Sequence, residues 1–167
     1  APSSAAWDSL TTREDPLTSA VFERFAYLEP ADAWSLLRAA CLESGQAEMP
    51  EAPPTGRPAW SFWFRLSPGP EGFNTKHVEP DVLVEWGDIL LVIEAKHAGE
   101  QYGSQWIEEI RAIRSDPRFA RQRLLFIAAG GADAGTFASI AQAVARELGG
   151  DKIGFLLLRW ATLRHVA

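Results

Sequence analysis

Hydrophobic and polar positions along the first half of the chain predict two helices followed by strands. Apolar residues recur at helical spacing over 16–29 and again over 31–43. Residues 44–58 are acidic and rich in proline, which predicts a loop or a flexible insertion. The aromatic run over 59–66 predicts a strand, and two apolar runs within 77–97 predict a β-hairpin. The first half therefore predicts the start of a sheet, preceded by two helices.

The second half of the chain alternates helix and strand. An amphipathic pattern predicts a helix over 100–116, and glycines end a second predicted helix over 134–150. Short apolar runs predict strands over 123–130 and 152–160. The predicted order is ααβββαβαβ. Because the later strands are continuously apolar and alternate with helices, we expect one α/β domain over 1–167, with a central mixed sheet flanked by helices.

The predicted hairpin carries charged residues on one face. Gly87 and Asp88 lie between its two apolar runs and predict a two-residue turn of the primed type. Counting outward from this turn places Asp81 opposite Glu94, and strand alternation places Lys96 on the same face. Opposed Cβ atoms lie roughly 5 Å apart, where two like charges destabilise a sheet. A divalent cation such as Mg²⁺, which binds one or two carboxylates, would compensate them.

An ordinary salt-bridged sheet is the other interpretation of these charges. The same register sets Glu79 opposite Lys96, which is a common type of cross-strand ion pair. Asp81 and Glu94 would then lie at the solvated end of the hairpin. The hairpin alone leaves both interpretations open.

The spacing of the charged residues resembles the signature of the PD-(D/E)XK nuclease superfamily. Pro80-Asp81, twelve intervening residues and Glu94-Ala95-Lys96 are similar to that signature, and the predicted order of elements is similar to the family's core. The resemblance implies a restriction-endonuclease-like fold. It also implies that Asp81, Glu94 and the backbone carbonyl of Ala95 bind Mg²⁺, for which Mn²⁺ can substitute. Lys96 would orient the nucleophile or stabilise the negative charge of the transition state.

Two helices that flank the hairpin extend the resemblance. The first is similar to a family helix whose acidic residue supplies a further ligand to the metal or to water. Glu14 shares the apolar face of that helix and is preferred over Glu23 on the polar face, although capping of the helix is also open to Glu14. In the second helix, Gln105 matches the family's glutamine, which would orient Lys96 or a phosphate; an exposed amide is the other interpretation. Gln101 is expected on the same helical face as Gln105.

Composition and charge narrow the class of function. The net charge of −6 argues against strong nonspecific binding of nucleic acid. Five arginines between residues 111 and 123 could contact phosphates or could solvate the end of a helix. A single cysteine favours a reducing, cytoplasmic setting, and no apolar run approaches the length of a membrane span. The glycine-rich run over 128–135 lacks the Lys-Ser/Thr that completes a phosphate-binding loop.

The resemblance implies a Mg²⁺-dependent nuclease that hydrolyses phosphodiester bonds in DNA, in restriction or in defence against foreign DNA. The alternative is a catalytically inactive nuclease-like domain that binds nucleic acid or a protein partner, which the acidic net charge favours. Cleavage of both strands of a duplex usually requires two active sites. A homodimer, or additional domains or subunits, is therefore a further expectation.

Overall fold

The computed structural model describes residues 14–41, 49–69, 77–149 and 152–166, with the backbone alone for residues 14, 15 and 164–166. Its helices are α1 (Glu14–Ala26), α2 (Pro30–Cys41), α3 (Gly103–Ser115), α4 (Ala134–Leu148) and α5 (Trp160–Val166). Its strands are β1 (Ala59–Phe62), β2 (Val82–Trp86), β3 (Ile89–Ala95), β4 (Arg123–Ala129) and β5 (Ile153–Leu158). None of these helices combines the length and the apolar character needed to cross a membrane.

The five strands form one mixed sheet in the order β1-β2-β3-β4-β5. The first three strands pair antiparallel, and β3, β4 and β5 pair parallel. Helices α3 and α4 make the two crossovers between parallel strands, as such connections require. The predicted α/β class, with a mixed sheet flanked by helices, is confirmed and is compatible with a restriction-endonuclease-like core.

Both faces of the sheet are covered, and β3 at its centre is buried along its whole length. Leu91, Ile93 and Ala95 belong to the core on the face that also packs against α1, α2 and α5. Leu90 and Val92 belong to the core on the other face, with residues of α3 and α4. Burial on both faces favours apolar residues at successive positions, which explains the continuous apolar run from Ile89 to Ile93 that precedes Glu94.

The β2–β3 hairpin has the predicted register. Trp86 pairs with Ile89 and Val82 pairs with Ile93, which is the pairing predicted by counting outward from the turn. Gly87 has a φ of 59°, a conformation that glycine adopts without steric cost and that a two-residue primed turn requires. Because the register is fixed, the faces on which the charged residues lie are fixed as well.

The ends of several predicted elements differ in the structure. The predicted strand over 59–66 ends at Phe62, because Trp63 has a φ of 49° and its N–H donates to the carbonyl of Asp81. The predicted helix over 100–116 begins only at Gly103, so Gln101 lies before it and does not share a helical face with Gln105. These ends depend on contacts with other elements, which a local pattern does not contain.

The predicted end of the last strand, over 152–160, was wrong. β5 stops at Leu158, and the unpredicted helix α5 begins at Trp160. Leu163 is buried in the core shared with α1 and α2. The apolar run over 152–160 therefore belongs to two elements. Its first part forms the buried strand β5, and its end starts helix α5, which packs on the face of the sheet covered by α1 and α2.

The described part of the proline-rich segment is a loop that packs against the domain. The indole N–H of Trp34 donates to the carbonyl of Pro50 at 2.9 Å, and that of Trp86 donates to the carbonyl of Gly56 at 3.1 Å. Met49 is buried in the core. Of the two interpretations of 44–58, a packed loop therefore holds for 49–58, while residues 44–48 lie outside the described chain.

Candidate active site

Asp81, Glu94 and Lys96 lie together at one end of the hairpin. Asp81 immediately precedes β2, Glu94 is the second-last residue of β3, and Lys96 follows β3 directly. The Asp81 Oδ2 atom accepts a hydrogen bond of 2.8 Å from the backbone N–H of Ala95. Strand alternation puts Glu94 and Lys96 on the sheet face covered by α3. The predicted grouping of these three residues is therefore present in the structure.

Glu94 is the most buried of the three side chains, with 1% of its surface exposed. Its Oε1 atom accepts from Lys96 Nζ at 2.5 Å and from Gln105 Nε2 at 2.8 Å. Its Oε2 atom is buried and has no hydrogen-bond partner among the residues that the structure describes. A buried, unpartnered carboxylate oxygen is costly, so this atom is the candidate for contact with a cation.

The cross-strand pair between Glu79 and Lys96, which the salt-bridge interpretation required, is replaced by other contacts. Lys96 forms its ion pair with Glu94, two residues away on the same face. Glu79 instead pairs with Arg65 at 3.5 Å and with His77 at 3.2 Å. The lysine is therefore directed at the buried carboxylate of Glu94.

Gln105 links Glu94 to a second buried carboxylate, Glu109, which the sequence analysis missed. Gln105 Nε2 donates to Glu109 Oε1 at 3.0 Å, in addition to its bond with Glu94. Glu109 is 2% exposed, and its Oε2 atom is buried without a partner in the described chain. Its position one turn from Trp106, on the apolar face of α3, is the sequence signal that could have revealed it.

Burial raises the pKa of Glu109 well above the usual value for a glutamate. The nearby charge of Glu94 raises the pKa further, and so does a direct side-chain hydrogen bond between Glu109 and Glu94. Asp81 adds a smaller effect, and the hydrogen bond from Gln105 opposes these effects. The protonated form of Glu109 is thus favoured when no cation is present, because two neighbouring buried carboxylates cannot both remain charged without compensation.

Gln101 ties the end of β3 to the loop that follows β4. Its Nε2 atom donates to the carbonyl of Glu94 at 3.1 Å and to that of Gly130 at 3.2 Å. Its Oε1 atom accepts from the indole of Trp106 at 2.8 Å. The amide is 4% exposed and both of its polar atoms are bonded, which gives Gln101 a structural role at the site.

The backbone of Lys96 is held on both sides. Its N–H donates to the carbonyl of Ala129 at 2.8 Å, and its carbonyl accepts from the indole of Trp160 at 2.9 Å. Gly131, with a φ of 70°, lies so close that an added Cβ would be 2.6 Å from the Cβ of Lys96. The glycine-rich run therefore packs against the lysine and fixes its position.

The structure describes only the backbone of Glu14, the acidic residue predicted to act from the first helix. Glu14 is the first residue of α1, and its side chain lies outside the described atoms, so its role as a metal ligand or catalytic residue stays a prediction. Glu23 is exposed and accepts a hydrogen bond from Ser19 at 2.5 Å. Glu23 therefore lies on the polar face of the helix, as predicted.

The donor atoms at the site fit Mg²⁺ or Mn²⁺ bound by few protein ligands. Asp81 and Glu94 supply carboxylate oxygens, and Glu94 Oε2 has no other partner among the described residues. The N–H and C=O of a strand residue face the same neighbouring strand, so the carbonyl of Ala95 is directed to the side of Asp81. Within the described chain no group of three or more His, Cys, Asp or Glu side chains could hold a metal. Mg²⁺ needs only one or two carboxylates, because water and substrate phosphates complete its shell.

The surroundings of the site are acidic, and the arginine-rich segment lies elsewhere. A polar cavity of about 260 Å³ is lined by three glutamates, Glu79, Glu108 and Glu109, together with His77, Val78 and Gln105. Arg123 begins β4, whereas Glu94 is paired with Ala128, five residues further along. At about 3.3 Å per residue, Arg123 lies roughly 17 Å from the site along the strand.

The arginines between residues 111 and 118 form ion pairs or hydrogen bonds with nearby residues. Arg111 pairs with Glu147 at 3.2 Å, Arg114 donates to the carbonyl of Gln122 at 2.9 Å, and Arg118 pairs with Asp116. Of the two sequence interpretations of this segment, solvation and local pairing at the end of a helix is the one that these contacts support.

Comparison of the chain with protein-family models, with curated proteins and with solved structures gives no match. The resemblance to PD-(D/E)XK nucleases therefore depends on the signature residues, on the order of elements and on the geometry described above.

Proposed function

We propose that this chain is a metal-dependent nuclease that hydrolyses phosphodiester bonds in DNA with Mg²⁺ as the cofactor. The observation that carries the proposal is the grouping of Asp81, Glu94 and Lys96 at the ends of two adjacent strands, with Asp81 bonded to the N–H of Ala95. Two carboxylates and a lysine at this spacing are the residues that the PD-(D/E)XK resemblance requires. The unpartnered Oε2 of Glu94 adds a reason to expect a cation.

Each residue has a role that its contacts support. Asp81, Glu94 and the carbonyl of Ala95 would hold the metal, which when bound polarises the scissile phosphate. Lys96, paired with Glu94 at 2.5 Å, brings a positive charge to the place where negative charge develops on the phosphate. Gln105 fixes Glu94 through a hydrogen bond of 2.8 Å. Glu14 is proposed as a further ligand, from the resemblance alone.

The biological setting follows from the same resemblance. The resemblance favours a role in restriction or in defence against foreign DNA, and the single cysteine favours the cytoplasm. Cleavage of both strands would require a second active site, supplied by a homodimer or by additional domains or subunits.

The decisive experiment is a plasmid-cleavage assay with MgCl₂ or MnCl₂, with and without EDTA. We expect cleavage that depends on the metal and that is lost in Glu94→Ala and Lys96→Ala. Glu147→Ala and Lys152→Ala are matched controls, because they remove the same types of charge at sites away from the hairpin. Full cleavage by either site variant, with an unchanged melting temperature, would reject the proposal.

A catalytically inactive domain that binds a partner is the second candidate. The glutamates beside the site and the distance to the arginine-rich segment favour it, because DNA phosphates would meet negative charge in the polar cavity. Mn²⁺ binding measured by calorimetry, together with no cleavage of any DNA substrate in the plasmid assay, would support this candidate. Cleavage that EDTA abolishes would exclude it.

A further inference from the structure

We propose that Glu109 is a positioning residue, which fixes the side-chain amide of Gln105 and, through it, the carboxylate of Glu94. The link from Glu109 to Gln105 stands independently of any activity. Its consequence for metal binding rests on the proposed nuclease function. No role for Glu109 follows from the PD-(D/E)XK signature, which ends at Lys96.

The two hydrogen bonds of Gln105 determine the orientation of its amide. The Nε2 atom lies 2.8 Å from Glu94 Oε1 and 3.0 Å from Glu109 Oε1, so each of its two N–H groups has an acceptor. An amide oxygen in the place of Nε2 would face the acceptor oxygens of both carboxyl groups. Glu109 thus removes the freedom of Gln105 to turn its amide away from Glu94.

The orientation of Gln105 in turn decides which oxygen of Glu94 is left for a cation. Gln105 and Lys96 both bind Oε1, and Oε2 is left buried and without a partner in the described chain. Some residues hydrogen-bond to a metal ligand and fix its orientation. Their removal typically lowers metal affinity or activity by about 10–100-fold. Glu109 stands in that relation to Glu94 through Gln105, and it also contacts Glu94 directly.

Stability does not explain why a carboxyl group occupies position 109. The side chain is 2% exposed and lies on the face of α3 that also buries Trp106 and Ile113. An apolar residue there would avoid the cost of burying an oxygen without a partner. The groups that the carboxyl contacts are Gln105, one helical turn earlier, and Glu94, both of them at the candidate site.

The first test uses the metal-free protein, with EDTA present. The side-chain amide signals of Gln105 are assigned in a ¹⁵N-correlated spectrum by their loss in Gln105→Leu. We expect them to shift in Glu109→Leu, and to remain close to their original position in Glu109→Gln, whose amide oxygen still accepts from Gln105. Glu147→Leu, at an exposed position on α4, is the control and should leave them unchanged.

The second test measures Mn²⁺ affinity by calorimetry in a double-mutant cycle. Glu109→Leu should lower the affinity by about 10–100-fold when Gln105 is present, and should have a clearly smaller effect in the Gln105→Leu background, where only the direct contact with Glu94 is left to lose. Glu109→Gln should restore most of the lost affinity. A residue that only stabilised the helix would lower the affinity equally in both backgrounds.

The outcomes separate this inference from the proposed function. Unchanged Gln105 signals in Glu109→Leu would overturn the positioning role, whatever the metal does. An equal loss of affinity in Glu109→Gln and Glu109→Leu would also overturn it, because the charge of Glu109 would then be what the metal requires. If the natural protein binds no Mn²⁺, the proposed function fails, and the metal-free spectra still decide whether Glu109 positions Gln105.

Discussion

The carboxylate of Asp81 accepts a hydrogen bond from the backbone N–H of Ala95, with 2.8 Å between Oδ2 and N. Asp81 precedes β2 and Ala95 ends β3, so this bond joins the open ends of the two strands opposite their turn. The same residue is proposed to hold a metal. Asp81 therefore combines a structural contact with a proposed catalytic one, and substitutions must be chosen to separate the two.

Asp81→Asn should separate stability from catalysis. The asparagine side chain keeps an oxygen that can accept from Ala95, so we expect its melting temperature to stay near that of the natural protein, while metal-dependent cleavage is lost. Asp81→Ala should lose cleavage and about 1 kcal/mol of stability as well, because the Ala95 N–H loses its partner. Thermal unfolding and plasmid cleavage, measured on both variants, check the prediction. Cleavage retained in Asp81→Asn would contradict the role of the carboxylate.

Gly131→Ala should displace Lys96. The added methyl group would lie 2.6 Å from the Cβ of Lys96, and the φ of 70° disfavours any residue other than glycine. We expect a loss of about 1–3 kcal/mol of stability, together with reduced cleavage, because the lysine can no longer lie against Glu94. Gly149→Ala is the control: it has a similar φ of 57° but nothing within 4 Å of the added Cβ. Equal cleavage by the two variants would argue against the contact.

Glu109→Gln should change how stability depends on pH in the metal-free protein. The pKa of Glu109 is raised in the folded state from 4.5, so above pH 4.5 the native state keeps a proton that the unfolded state releases. Stability should therefore fall as pH rises, by up to about 1.4 kcal/mol per unit, until the raised pKa is passed. Below pH 4.5 both states are protonated and the contribution is constant.

Urea unfolding between pH 5 and pH 8 checks this prediction. The stability of Glu109→Gln relative to the natural protein should increase across that range. Glu147→Gln, whose residue is exposed on α4, should show no such trend. Parallel pH profiles for the natural protein and Glu109→Gln would mean that the carboxyl group is charged in the folded state throughout.

Removal of arginines from the segment after α3 should leave DNA cleavage unchanged. Arg118 and Arg121 are exposed near the beginning of β4, whereas the site lies where β3 ends. We expect Arg118→Ala and Arg121→Ala to cleave as the natural protein does, with the same dependence on salt. A reduced dependence of cleavage on salt in either variant would show that the arginine contacts phosphate.

Cys41 should be unreactive in the folded protein. It is 2% exposed, and burial raises the pKa of its thiol to about 12, so very little thiolate exists near neutral pH. A thiol reagent at pH 8 should label the protein only after unfolding in guanidinium. Rapid labelling of the folded protein would show that the end of α2 opens in solution.

Local sequence patterns were sufficient for all the elements except helix α5, apart from some of their ends, and for the core of the candidate site. Continuous apolar runs identified the strands because those strands are buried on both faces. The turn at Gly87-Asp88 set the register, and the register placed Asp81 beside β3 and Glu94 on the face of α3. These predictions succeeded because each depends on residues close together in the chain.

The sequence by itself thus determined the α/β class, the hairpin register and the grouping of Asp81, Glu94 and Lys96. Tertiary structure alone decided the contacts that surround this group, among them Trp160, which is 64 residues from Lys96 in the chain and donates to its carbonyl. It likewise set Glu109 beside Glu94, from a helix packed across the sheet face. The physical reason is that such contacts arise from the packing of whole elements, and local periodicity does not record which side chains then meet.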